Sequence, residues 1–263
     1  MNRVRVYRER PTALAMAVAL CVTMLVVYVL TLNLGGPDVV ESMAPAPRVT
    51  REIEFGALEG WCVAMAACES REQARVQASG WVNRGAAGCV AQLDGAWRVL
   101  GAVYDSEREA GRVAKRLRDD EDIPAETLAL RTEAVKLRIT APERQIDAIA
   151  AADALLRRQE AQLGQVALQL DRSEIRPEAV RTLCALAASE AGEASAALGA
   201  IPGAAENGLC AALIGALDAL RDMQKTLSES PESAAALSGM LRCAQIETVL
   251  RQRELIEALG NKD

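Results

Sequence analysis

The sequence predicts an α+β protein in three parts: a transmembrane helix near the N-terminus, a βαββαβ unit, and a C-terminal antiparallel α-helical bundle. Three observations predict it. Thr12 to Leu34 is a run of 23 residues without a charge. A strand-and-helix pattern that starts at Trp61 recurs at Trp97. All seven aromatic residues lie at or before Tyr104, and the 159 residues beyond it are rich in Ala and Leu at helical spacing.

At ~1.5 Å rise per residue the uncharged run gives about 34 Å of helix, enough to span a hydrocarbon core of ~30 Å. A cleaved signal peptide would carry an apolar region of only about 7–15 residues. Arg3, Arg5, Arg8 and Arg10 against Glu9 alone place the N-terminus in the cytoplasm. The expectation is a single-pass cell-membrane protein with a cytoplasmic tail at 1–11, a span at 12–34 and its bulk outside. Gly35-Gly36-Pro37 and Ala44-Pro45-Ala46-Pro47 read as a stalk over 35–54, because such a composition cannot pack.

The repeat is WCVAMAACESREQA from Trp61 and WRVLGAVYDSEREA from Trp97. In each copy the first half alternates, which predicts a half-buried strand. Ser70 with Gln73, and Ser106 with Glu109, are capping boxes that start a helix after each strand. Ala74, Ala78 and Trp81 mark the inward stripe of the first helix; Ala110, Val113, Ala114 and Leu117 mark that of the second. Ala86 to Leu93 reads as a strand joined by Asp94-Gly95 to the strand at Trp97, a strong hairpin signal. Thr127 to Leu130 supplies a fourth strand. Right-handed crossovers then place both helices on one face of a four-stranded antiparallel sheet. Alternation assigns Cys62, Ala64, Ala66, Arg98, Leu100 and Ala102 to the other face, with Tyr104 at the end of the row.

On these residues, roughly Gly60 to Arg131, the unit resembles a SPOR domain, the sporulation-related repeat of ferredoxin-like βαββαβ fold. The resemblance implies a domain at 55–131 that binds peptidoglycan glycan strands stripped of stem peptides. Arg98, Tyr104, Trp61 and Trp97 are the candidate glycan-binding residues. The chain departs from the family where it has Ala64 for a frequent Gln, Ala66 for Gly, and Cys68 for an aromatic residue.

Beyond the unit, residues 132–172 read as an added strand and a long helix. Val135, Leu137 and Ile139 alternate with Lys136 and Arg138, and Thr140 with Pro142 and Glu143 forms a further capping box. Ile146, Ile149, Ala152, Leu156, Leu163, Ala167 and Leu170 make a packing seam broken by Glu160. Residues 173–263 read as a bundle of three helices, near Pro177–Leu198, Glu206–Leu227 and Pro231–Leu259, punctuated by Pro202-Gly203 and Ser230-Pro231.

Composition narrows the function. The chain contains no histidine, which removes the commonest general base and every zinc site built on His. Outside the leading segment the net charge is −9, which argues against nucleic acid as a partner. Cys62, Cys68, Cys89, Cys184, Cys210 and Cys243 are even in number, which permits disulfides in an exported segment, but small buried hydrophobes is the better reading. No Cys-x-x-Cys spacing supports a metal site, and no metal and no cofactor is expected. No convergent carboxylates suggest a glycan hydrolase. The expectation is a non-enzymatic membrane protein that binds peptidoglycan glycan in sporulation or cell division. The competing expectation is a structural or adaptor protein whose sheet face is covered and whose C-terminal helices bind a protein partner.

Overall fold

The computed structural model describes residues 47–82, 85–230 and 233–260. They form an α+β arrangement of two sheets and six helices. In chain order these are β1 (Arg48–Phe55), β2 (Leu58–Cys68), α1 (Arg71–Val82), β3 (Cys89–Leu93), β4 (Ala96–Tyr104), α2 (Glu107–Glu121), β5 (Glu126–Thr132) and β6 (Val135–Pro142). The long helices α3 (Glu143–Asp171), α4 (Pro177–Gly199), α5 (Gly208–Glu229) and α6 (Ala234–Gly260) follow.

The membrane assignment is corrected here. Among the described residues no helix is long and apolar enough to cross a membrane. Thr12 to Leu34, on which both the transmembrane helix and the single-pass localisation rested, lies outside the described residues. The long helices that are described carry charges along their length: α3 alone contains Asp147, Asp153, Arg157, Arg158 and Glu160. Their apolar stripes are buried against other protein elements.

The larger sheet has strand order β3-β4-β2-β5, every neighbour antiparallel. Local chemistry explains its turns. Asp94 and Gly95 take φ of 51° and 79°, the left-handed pair of a tight hairpin, and Leu93 faces Ala96 across it. Ser70 Oγ accepts from the Gln73 N–H at 3.2 Å, and Ser106 Oγ from the Glu109 N–H at 3.3 Å, which fixes the starts of α1 and α2. Gly88 sits at φ 56° where a Cβ would meet the Ala78 carbonyl at 2.9 Å, so the return from α1 to β3 needs glycine.

A second sheet was not foreseen. β1 occupies residues 48–55, of which composition assigns 48–54 to the stalk, and pairs along its whole length with β6, from Arg48 opposite Pro142 to Phe55 opposite Val135. Ile53 and Phe55 are buried, and Phe55 is wholly enclosed. β6 therefore joins this two-stranded sheet, not the larger one. It also runs through Thr140, whose Oγ1 bonds Thr50 Oγ1 at 2.8 Å, so α3 starts at Glu143 without a side-chain cap. Strand pairing won over the capping box.

Two apolar clusters fill the structure. The smaller lies between the larger sheet and helices α1 and α2, with Val63, Met65, Val99, Ala74, Ala78, Ala110 and Ala114. The larger runs from the opposite face of that sheet, through Cys62, Ala64, Cys89, Leu100 and Leu130, into the helical bundle. α6 is the bridge. It lies on β3, β4 and β5 on one side and on α3 and α5 on the other.

Candidate functional site

The sheet face opposite α1 and α2 is the surface to which the sequence assigned ligand binding, and α6 lies across it. Cys62, Ala64 and Leu100 on that face are fully buried, as are Leu237 and Leu241 of α6. Small side chains on both sides permit the approach. Gly239 brings the α6 backbone so close to the α1–β3 connection that a Cβ would stand 2.6 Å from the Ala86 carbonyl oxygen.

The four candidate side chains do not share a face. Each central strand carries one extra residue: Ala64 pairs with Leu100 while Val63 pairs with Ala102, skipping Gly101, and Ala66 pairs with Val99, skipping Met65. Such a bulge inverts the alternation beyond it. Tyr104 accordingly turns to the α1/α2 side and packs with the smaller cluster, as do Trp61 and Trp97. Arg98, before the bulge, stays on the Leu100 side. At Gly101 a Cβ would stand 3.0 Å from the Met65 thioether sulfur, so any larger residue there requires the Met65 side chain to shift.

Each candidate has an intramolecular partner. The Arg131 guanidinium lies over the Trp61 ring, 4.5 Å from its centroid, and Arg71 lies over Trp97 at 5.6 Å. Arg98 pairs with Glu126, and its Nε is buried without a hydrogen-bond partner among the described residues. Burial pushes the Tyr104 hydroxyl pKa up, against a hydrogen bond from Arg242 and the charge of Arg116, which favour the phenolate.

Two open clefts flank the covered sheet. One, of about 360 Å³, lies between the sheet and helices α1 and α2, and is lined by Trp81, Gly101, Tyr104, Arg116 and Arg242 among others. The other, of about 630 Å³, lies between the β3–β4 hairpin and the C-terminal half of α6. Arg71, Gln92, Asp94, Trp97, Arg251 and Glu254 line it. It joins one aromatic ring to several hydrogen-bonding groups.

The structure also assembles a group that the sequence did not signal. Cys89 of β3 meets Cys243 and Glu247 of α6, with their ligating atoms all within 4.8 Å of one another. The four-residue step from Cys243 to Glu247 is visible on a helical wheel, but nothing in the sequence brings a distant strand to it. All six described cysteines are free thiols, five buried and Cys243 half-buried. Compared with protein-family models, curated proteins and solved structures, the chain matches none of them.

Proposed function

We propose that this chain is a non-enzymatic structural or adaptor protein whose SPOR-like unit docks the chain's own C-terminal helices in place of glycan, and whose helical bundle serves a protein partner. The observation that carries the reading is α6 lying on the sheet face, with Cys62, Ala64 and Leu100 withdrawn from solvent. A glycan strand lying on that face would have to displace a 27-residue helix together with its packing on α3 and α5. At ~25 cal/mol per Å² of apolar surface, re-exposing both sides of such a contact costs several kcal/mol. Ala64, where the family frequently has Gln, is fully buried on this face and agrees with a surface specialised for packing.

The full chain should not co-sediment above background with sacculi whose stem peptides have been removed by an amidase. Retention comparable to that of a glycan-binding SPOR domain in the same assay would overturn the reading.

One observation favours a second reading, in which glycan is held in the larger cleft beside Trp97. There an aromatic ring, Arg71, Gln92 and Asp94 stand together. On that reading the full chain co-sediments and Trp97→Ala abolishes it, while α6 stays in place.

A further inference from the structure

We propose that Cys89, Cys243 and Glu247 form a site for one thiophilic divalent cation of the zinc class, and that the bound ion clasps α6 to the sheet. The three come from two elements: Cys243 and Glu247 stand one turn apart on α6, and Cys89 lies in β3 across the contact. The Cys243 Sγ stands 3.9 Å from Glu247 Oε1, and the Cys89 Sγ lies within 4.8 Å of both ligand atoms. Zinc–sulfur and zinc–oxygen bonds of about 2.3 and 2.1 Å place ligand atoms roughly 3.5–3.8 Å apart around a tetrahedral ion. The observed limit of 4.8 Å closes to that spacing by small side-chain rotations.

Charge points the same way. Glu247 makes no ion pair among the described residues, although Arg251 and Arg253 line the same cleft. A carboxylate with no cation, set against two thiols, is a site lacking positive charge.

Binding breaks the two S–H bonds, forms two metal–sulfur bonds and one metal–carboxylate bond, and releases both protons to solvent. No electron is transferred. The ion has a way in: Cys243 and Glu247 border an open groove of about 330 Å³ between α5 and α6, from which water can supply a fourth ligand. This site is independent of whether glycan binds.

The test uses the reduced, chelator-treated full chain titrated with Co²⁺. Expected is saturation at one equivalent, with thiolate-to-cobalt charge-transfer absorption and the visible bands of a tetrahedral ion, all bleached by Zn²⁺. Cys89→Ser and Cys243→Ser should each remove most of the charge-transfer absorption, and Cys68→Ala should leave it. Glu247→Gln, at a half-exposed position that the fold tolerates, should weaken binding about tenfold or more while circular dichroism is unchanged. Three results overturn the proposal: no charge-transfer absorption in the wild-type chain, absorption that survives Cys89→Ser, or a Cys89–Cys243 disulfide in chain purified without reductant.

Discussion

Glu160 shows how one side chain sets a pH dependence. It interrupts the apolar seam of α3, and in the structure its carboxylate accepts from Gln245 Nε2 at 2.8 Å. Burial raises its pKa above the ordinary 4.5, only partly offset by that hydrogen bond. A raised carboxyl pKa means that the folded state binds the proton more tightly than the unfolded chain does. Its contribution to stability is then fully present below 4.5 and is lost as pH rises through the folded-state value. Glu160→Gln keeps the acceptor and removes the charge, so it should raise the melting temperature at pH 7. The gain should shrink as pH falls, which thermal melts across that window will show. Gln224 makes a related case without titration. Its Oε1 is buried with no hydrogen-bond partner among the described residues, and Gln224→Leu should stabilise the chain by about 1 kcal/mol in urea unfolding. Both residues sit in seams whose apolar periodicity was plain in the sequence. Whether their polar ends found partners was not, because Gln245 comes from a helix far along the chain.

Among the elements, α6 has the most at stake in a single contact. Gly239 lets it settle onto the Ala86 carbonyl, and Gly239→Val places methyl groups where there is already backbone. Overpacking of this kind costs roughly 1–3 kcal/mol, and here the strain falls on the contact that covers the sheet. The variant should bind a hydrophobic dye under native conditions and exchange the β4 amides faster than wild type. Unchanged exchange in β4 would mean that α6 does not protect the sheet. The same elements show where sequence reading succeeds and where it stops. Both serine caps and the Asp94-Gly95 hairpin are local chemistry, complete within a few residues, and they stand where their spacing put them. β1 failed to register because its partner, β6, is some ninety residues away, and Arg48, Arg51, Glu52 and Glu54 between its apolar positions look like linker until that partner is present. Tyr104 changed face because the bulge at Gly101 is a property of two strands meeting, whereas alternation belongs to one.

At the scale of the whole molecule, the larger apolar cluster joins the sheet to the bundle without a break. Sheet and bundle should therefore unfold together. Urea unfolding followed by tryptophan fluorescence, which reports only the aromatic-bearing part, and by far-UV circular dichroism, which reports mainly the helices, should give coincident transitions. Separated transitions would show two independently stable parts. The sequence indicated a division at Tyr104 because the aromatic residues stop there. That boundary divides composition and leaves the core undivided, since a small apolar face on the sheet and Ala/Leu seams on the helices bury each other. The cover on the sheet also has a consequence for how the protein is made. β5 ends at Thr132 and α6 begins at Ala234. At ~5–20 residues per second, a ribosome takes about 5–20 s to add the intervening hundred residues. For that interval a nascent chain presents the bare apolar face built by Cys62, Ala64, Leu100 and Leu130, and a chaperone or a neighbouring nascent chain has its chance at that face before α6 arrives.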